Sequence, residues 1–109
     1  MTFLKVSSTS EIPDGQIKAF DLGGKKILLA NANGSFYAME NKCPHIGKPL
    51  DSGQLNGCVL TCNYHKAQFD VRDGLNQAPA KLLFLKMACK NAKTYLVKVE
   101  ESSIFVESN

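Results

Sequence analysis

Two short motifs, each pairing one cysteine with one histidine, constrain this chain more than any other feature. Cys43-Pro44-His45 and Cys62-Asn63-Tyr64-His65 are separated by sixteen residues, and together they contain both histidines of the sequence. Within each motif the two side chains are close enough for one tight loop to present both to the same metal. The spacer is long enough for a strand out and a strand back. We therefore expect each motif at the tip of a hairpin, with the two tips meeting over one metal site.

Two kinds of metal site fit two thiolates and two imidazoles. A structural zinc ion takes such a set in a closed tetrahedron, and a [2Fe–2S] cluster takes it with two imidazoles replacing two thiolates on one iron. The order of the ligands favours the cluster. Each loop offers one thiolate and one imidazole, whereas common zinc fingers pair cysteine with cysteine and histidine with histidine. Zinc stays open as the alternative at this point.

The short strands and closely spaced turns around the motifs indicate an antiparallel sandwich or barrel. Alternating apolar residues at 16–22 and a more buried run at 26–30 are separated by Gly23-Gly24, and Asn33-Gly34 is a strong two-residue hairpin signal. Further pairing is expected around Asn56-Gly57 and Asp73-Gly74, and between residues 94–99 and 103–106. Residues 81–93 are ambiguous, because lysines at helical spacing favour a short helix whereas residues 82–85 could extend a strand.

The residues of the two motifs and those that follow them resemble the signature of Rieske ferredoxins. The pattern reads C-x-H, about sixteen residues, C-x-x-H, then Phe69-Asp70 and a glycine turn at Gly74. The resemblance implies an all-β fold: a Rieske-like antiparallel β-sandwich or barrel base with a two-loop cluster-binding subdomain at about residues 41–80. The whole chain, residues 1–109, is then a single Rieske domain.

The resemblance also implies a ligand set. One [2Fe–2S] cluster per chain is expected, with Cys43 and Cys62 on the inner iron and His45 and His65 on the outer iron, where the imidazole edges reach solvent. In high-potential respiratory members of the family, hydroxyl groups donate hydrogen bonds near the cluster and a disulfide braces the two loops. This sequence has Ala67 and Phe69 at the hydroxyl positions, and Lys48 and Tyr64 where the disulfide would form. A low-potential centre without a bracing disulfide is predicted.

Length and charge limit the remaining function classes. At 109 residues there is no room for a second catalytic domain of ordinary size, and no apolar window approaches a transmembrane helix or a signal peptide. We therefore expect a soluble, cytoplasmic, monomeric protein that is not itself an enzyme and has no membrane partner. The net charge of +3, without a basic run, argues against nucleic acid. Lysines 42, 48 and 66 either form a positive rim around the metal loops or are simply solvated.

Two cysteines remain outside the motifs. Cys58 and Cys89 are interpreted as small buried thiols, because a bridge between them would need an oxidising compartment that nothing else indicates.

The leading hypothesis is a one-electron carrier that passes electrons from a reductase to a terminal oxidoreductase such as an oxygenase. One alternative is a small Rieske subunit of a larger oxidoreductase such as nitrite reductase. The other, from a different class, is a zinc-stabilised interaction module.

Overall fold

Strand β3, Lys25–Ala32, is buried on both faces and lies at the centre of the fold. Its side chains alternate: Leu28, Ala30 and Ala32 belong to one apolar cluster, whereas Ile27 and Leu29 belong to the other. This is the period-two alternation expected of a strand between two layers. The computed structural model describes residues 3–42, 49–62, 67–78, 80–82, 85–87 and 92–107.

The sheet around β3 is antiparallel, with the order β11-β4-β3-β2. Its other strands are β2 (Ile17–Leu22), β4 (Ser35–Glu40) and β11 (Thr94–Tyr95). The turn between β3 and β4 has φ of 58° at Asn33 and 89° at Gly34, which is the left-handed pair that a two-residue hairpin needs. The hairpins predicted around Gly23-Gly24 and Asn33-Gly34 are confirmed.

A second sheet packs on one face of β3 and has the order β1-β13-β12. It consists of β1 (Phe3–Ser8), β12 (Val97–Glu100) and β13 (Ser103–Glu107). A short 3-10 helix, Thr9–Glu11, follows β1. Ile104 and Val106 point from β13 into the apolar cluster that contains Ile27 and Leu29, so this layer forms the base of the molecule away from the metal motifs.

The other face of β3 packs against a third sheet that carries the second motif. Its order is β5-β6-β7-β8, with β5 at Gln54–Asn56, β6 at Val59–Thr61, β7 at Gln68–Asp70 and β8 at Asn76–Ala78. Leu60 and Phe69 are fully buried and pair with each other across β6 and β7. They share one apolar cluster with Leu28 and Met39, so the central sheet and the metal-site sheet are fixed to each other by packing.

Three details differ from the sequence-based expectations. Asn56 is the last residue of β5 and pairs with Val59, so the turn lies at positions 57–58, one residue later than predicted. The single strand expected over residues 94–99 is two strands, because β11 pairs with β4 and β12 pairs with β13. Within residues 81–93, β9 (Ala80–Leu82) and β10 (Leu85–Met87) form a hairpin, so the helical interpretation is wrong at Lys86.

No helix among the described residues is long and apolar enough to cross a membrane.

Candidate metal centre

Cys62 lies directly after β6, at the point where the chain leaves the third sheet. Its relative exposure is 0%, and it belongs to the same buried cluster as Leu60, Ala67 and Phe69. It is the one predicted ligand inside the described residues, because Cys43, His45 and His65 all fall outside them. The predicted loop lysines Lys48 and Lys66, and Cys89, also lie outside, whereas Lys42 is exposed just before the first loop.

The base of the second ligand loop is closed by a backbone hydrogen bond. The Cys62 N–H donates to the Ala67 carbonyl oxygen at 2.7 Å. The chain therefore leaves the third sheet at Cys62 and rejoins it at Ala67, directly opposite. The antiparallel pairing of β6 with β7 continues this closure, with Thr61 opposite Gln68.

The base of the first ligand loop is closed by a side chain. Asn41 precedes the loop at residues 43–48, and its Oδ1 accepts hydrogen bonds from the backbone N–H groups of Leu50 at 2.8 Å and Asp51 at 3.0 Å. The Asn41 N–H itself donates to the Lys26 carbonyl oxygen at 2.9 Å. Asn41 thus fixes both ends of the first loop to the start of β3.

Gly53 brings the segment after the first loop against the segment that enters the second loop. Its N–H donates to the Leu50 carbonyl oxygen at 2.9 Å. A Cβ atom at this position would overlap the carbonyl oxygen of Thr61, the residue directly before Cys62. Only glycine allows this approach of one backbone to another.

The far side of the third sheet is fixed by the turn between β7 and β8. Oδ1 of Asp70 accepts from the backbone N–H of Arg72 and from its Nε, both at 2.9 Å, and Oδ2 accepts from Nη2 at 2.6 Å. These hydrogen bonds from Arg72 lower the pKa of Asp70 below its ordinary value, against the opposing effect of burial. Gly74 then donates to the Asp70 carbonyl oxygen and accepts from the Ala92 N–H, which connects this turn to the segment before β11.

The surroundings of Cys62 fit a thiolate that binds a metal. A thiolate buried among apolar side chains is strongly destabilised unless a cation compensates its charge, and a metal ion supplies that charge. The structure brings together the segments that flank both motifs, through Asn41, Leu50, Gly53 and Thr61. The structure describes the bases of the two loops. Of the four predicted ligands, Cys62 lies among the described residues and the other three do not.

The roles of Asn41 and Gly53 were not predicted from the sequence. Asparagine side chains commonly bond to nearby backbone N–H groups, so an asparagine just before the first motif was a usable signal. The close approach at Gly53 had no such signal, because Thr61 becomes its neighbour only when the third sheet forms.

Comparison with known proteins identifies the family. Residues 2–103 match the Rieske [2Fe-2S] domain. The ferredoxin component of biphenyl 2,3-dioxygenase from Rhodococcus jostii (strain RHA1) is 33% identical over 107 residues, covering 98% of this chain and 94% of that protein. The ferredoxin of carbazole 1,9a-dioxygenase from Nocardioides aromaticivorans IC177 is 26% identical with a TM-score of 0.85, covering 100% of each chain. A chain from the complex of reduced oxygenase and oxidized ferredoxin in carbazole 1,9a-dioxygenase has a TM-score of 0.80 at 26% identity, covering 95% of this chain and 91% of that chain.

These matches answer the question that the ligand order left open. The all-β fold expected from the sequence is confirmed, and the cofactor is a [2Fe–2S] cluster rather than zinc. With the matching segment running over nearly all of the sequence, the chain belongs to the Rieske [2Fe–2S] domain family.

Proposed function

We propose that this protein is a low-potential one-electron carrier that takes electrons from a reductase and delivers them to a terminal oxygenase. It is an electron-transfer protein and not an enzyme, since the proteins it matches over most of their length are ferredoxin components of dioxygenase systems. That match, made over nearly the whole of this chain, is the observation that carries the proposal. The likeness to a chain of an oxygenase–ferredoxin complex supports an oxygenase as the acceptor.

The proposed ligands are Cys43, His45, Cys62 and His65. When bound, the cluster supplies a one-electron ferric/ferrous couple. Two neutral imidazoles in place of two thiolates bring two fewer negative charges to the site, which makes adding an electron easier than in a four-cysteine centre. Burial of Cys62 excludes water from its sulfur, and the hydrogen bonds at Asn41 and Cys62 keep the two loop bases in place.

The low potential is proposed from the residues around Cys62. Ala67 and Phe69 lie in the same buried cluster as Cys62, and neither carries a hydroxyl group that could donate to a sulfur atom. Hydrogen bonds to sulfur stabilise the added electron, so their loss lowers the potential. We expect a midpoint toward the negative end of the range of about −150 to +300 mV known for Rieske centres.

Metal and sulfide analysis together with EPR of the reduced protein tests the proposal. We expect equal amounts of iron and sulfide, a visible spectrum, a low average g value and a redox titration with a one-electron slope. Cys62→Ser should abolish the spectrum, whereas Cys58→Ser, the matched control at a half-buried thiol, should retain it. A colourless, well-folded protein would refute the cluster, and a midpoint above about +100 mV would refute the low potential.

We also propose a cytoplasmic location and a monomeric state. Cys58 forms no disulfide with another described residue, which fits a reducing compartment. The exposed large apolar residues of the described part are scattered over β1, the turn after β7 and the β11–β12 region, which is ordinary for a monomer. Size-exclusion chromatography across a tenfold range of concentration checks the monomer, and a shift toward the dimer volume would contradict it.

A further inference from the structure

Four lysines converge on a groove beside the first ligand loop. The groove has a volume of about 490 Å³ and is lined by Lys25, Lys26, Lys42 and Lys93, with Tyr95 and Pro49 also in its wall. We call it the lysine groove. Lys42 and Pro49 are the described residues on either side of positions 43–48, so the groove adjoins both ends of the segment that contains Cys43 and His45 in the sequence.

Tyr95 holds two of these ammonium groups in the groove. Its ring centroid lies 5.3 Å from Nζ of Lys93 and 5.9 Å from Nζ of Lys25, both within the range of a cation–π interaction. The ring is itself fixed, because Tyr95 is 8% exposed and packs in the cluster of Ile27 and Ala38. Burial, followed by the nearby charges of Glu40 and Glu107, raises the pKa of Tyr95 and keeps its phenol neutral. A fixed ring therefore orients both lysines.

The backbone beneath the lysines is part of the support of the first loop. The Lys26 carbonyl oxygen accepts from the Asn41 N–H, and the Lys93 carbonyl oxygen accepts from the Glu40 N–H at 2.8 Å. Asn41 in turn holds Leu50 and Asp51 at the exit of the loop. The positive charges are therefore attached to the same framework that positions the proposed ligands.

Within the part of the chain that the structure describes, the charge of the lysine groove is offset only in part. Among those residues, Glu40 is the one carboxylate that lines it, against four lysines. None of the four lysines forms an ion pair with another described residue. A smaller groove of about 360 Å³ shares Lys26, Asn41 and Pro49 with the lysine groove and contains Asp21 and Asp51. The two neighbouring grooves thus differ in charge, because the lysine groove is mainly positive and the smaller one is mixed.

We propose that the lysine groove is a docking surface for a carboxylate-rich surface of a protein redox partner. The proposal rests on the carrier function proposed above. Complementary charge steers encounter and fixes orientation, which suits a partner that must bind beside the cluster and leave again. The ammonium groups come from β3, from the residue Lys42 after β4 and from Lys93 just before β11. A groove open to solvent with charges spread in this way fits several carboxylates on a protein surface.

The electrostatic field of the groove is tested by the rate at which hexacyanoferrate(III) oxidises the reduced protein. The rate is measured by stopped-flow spectroscopy. One electron passes from the reduced cluster to the iron complex, which becomes hexacyanoferrate(II). The groove variant is Lys26→Glu with Lys93→Glu, and the matched control is Lys5→Glu with Lys98→Glu on the base sheet. Each pair of reversals lowers the net charge of +3 by four, to −1. At about 0.1 M ionic strength the Debye length is about 10 Å, so distant charges are screened.

We expect the groove variant to be oxidised about three- to tenfold more slowly than the wild type, and the control to stay within about twofold, because only the groove charges lie beside the loop at that screening length. With the cation hexaamminecobalt(III) the groove variant should not be slowed. Equal slowing of both variants would mean that only net charge matters, and no slowing would mean that the groove exerts no field. Either result overturns the docking surface.

Poly-L-glutamate, as a polypeptide of carboxylates, tests the kind of occupant. Its presence should protect Lys25, Lys26, Lys42 and Lys93 from acetylation, measured by mass spectrometry, while Lys5 and Lys98 stay reactive. Equal protection by inorganic phosphate at the same concentration of negative charge would show a small-anion site and refute a protein-docking surface. Uniform protection of all lysines would refute it as well.

The visible and EPR spectra and the midpoint potential are recorded for every variant before the kinetics. A wild type without a reducible cluster contradicts the proposed function, whereas intact spectra with unchanged rates contradict only the docking surface. If the charge reversals prevent folding, Lys26→Gln with Lys93→Gln gives the same comparison with half the charge change. We expect the oxidation of this glutamine variant to be slowed less than that of the glutamate variant. The control Lys5→Gln with Lys98→Gln should again not be slowed.

Discussion

The side-chain oxygen of Asn41 lies 2.8 Å from the backbone nitrogen of Leu50, across the base of the first ligand loop. Leu50 is 0% exposed, so its N–H has no water to replace this acceptor. Asn41→Ala leaves that N–H unpaired, which costs about 1–3 kcal/mol. We expect the half-life of the visible absorbance in the presence of an iron chelator to fall at least about fivefold, since 1.4 kcal/mol corresponds to a factor of ten.

Asn41→Asp is the control for this prediction, because it keeps an oxygen acceptor at the same position. Its half-life should stay within about twofold of the wild type. If alanine and aspartate at position 41 bleach at the same rate, the hydrogen bonds to Leu50 and Asp51 do not hold the loop.

Gly53→Ala tests the contact between the exit of the first loop and the entry of the second. The added Cβ would overlap the Thr61 carbonyl oxygen, which is backbone and cannot rotate away. Separating the segments costs about 1–3 kcal/mol of strain, close to Cys62. We expect less iron per chain after purification and faster loss of the visible spectrum in urea.

Gly57→Ala provides the comparison for Gly53. Gly57 has φ of +63°, but a Cβ there meets nothing within 4 Å. Its cost of about 1–2 kcal/mol is conformational and confined to the turn between β5 and β6, so iron content should be unchanged. An equal loss of iron from both variants would show that the Gly53 contact has no special part in holding the cluster.

Asp70→Asn tests the ion pair in the turn after β7. The folded-state pKa of Asp70 is lowered by Arg72, so this carboxylate stabilises the fold above its unfolded value of 3.8, and the contribution is lost as pH falls through the lower, folded pKa. At pH 7 we expect a destabilisation of about 1 kcal/mol, modest because Arg72 is 57% exposed. The ratio of bleaching rates between variant and wild type should therefore approach one as pH falls below about 4.

Asp73→Asn is the matched control. Its Oδ1 accepts a hydrogen bond from the Leu75 N–H, whereas the described hydrogen bonds of the Arg72 side chain go to Asp70. At pH 7 the bleaching rate of Asp73→Asn should match that of the wild type. If the bleaching rate of Asp70→Asn relative to the wild type grows as the pH falls, the ion-pair interpretation is contradicted.

Local signals predicted the first half of the fold well. Asn33-Gly34 specifies its hairpin through two left-handed residues, whatever the rest of the chain does. Residues 94–99 read as one strand, because nothing in the sequence shows that Tyr95 pairs with Ala38 in one sheet while Val97 pairs with Val106 in another. Pairing partners are set by the assembled layers, so the division at Leu96 could not be predicted locally.

The site shows the same division between local and long-range information. The proposed ligand motifs rest on spacing and donor chemistry, and the structure adds that Cys62 is buried. The lysine groove was only partly predictable from the sequence. Lys42 was identified beside the first motif. Lys25 and Lys93 reach the groove because both contact Tyr95, which lies seventy residues after Lys25. Lysines that gather from distant parts of the chain leave no pattern in the sequence.

The midpoint potential should respond to hydroxyl groups introduced beside Cys62. Ala67 and Phe69 are fully buried in its cluster, so Ala67→Ser and Phe69→Tyr each place a hydroxyl there with little change of volume. A hydrogen bond worth about 0.5–1.5 kcal/mol to the reduced state corresponds to about 20–65 mV in a one-electron couple.

We therefore expect each of these variants to raise the midpoint by about 20–65 mV in a redox titration followed by EPR, because a hydroxyl that donates to sulfur favours the added electron. The controls are Ala38→Ser and Phe36→Tyr, which make the same chemical changes in the apolar cluster on the opposite face of the central sheet. Their midpoints should stay at the wild-type value. A shift of equal size in variants and controls would mean that general polarity sets the potential, and an unchanged midpoint in Phe69→Tyr and Ala67→Ser would mean that these positions do not tune the cluster.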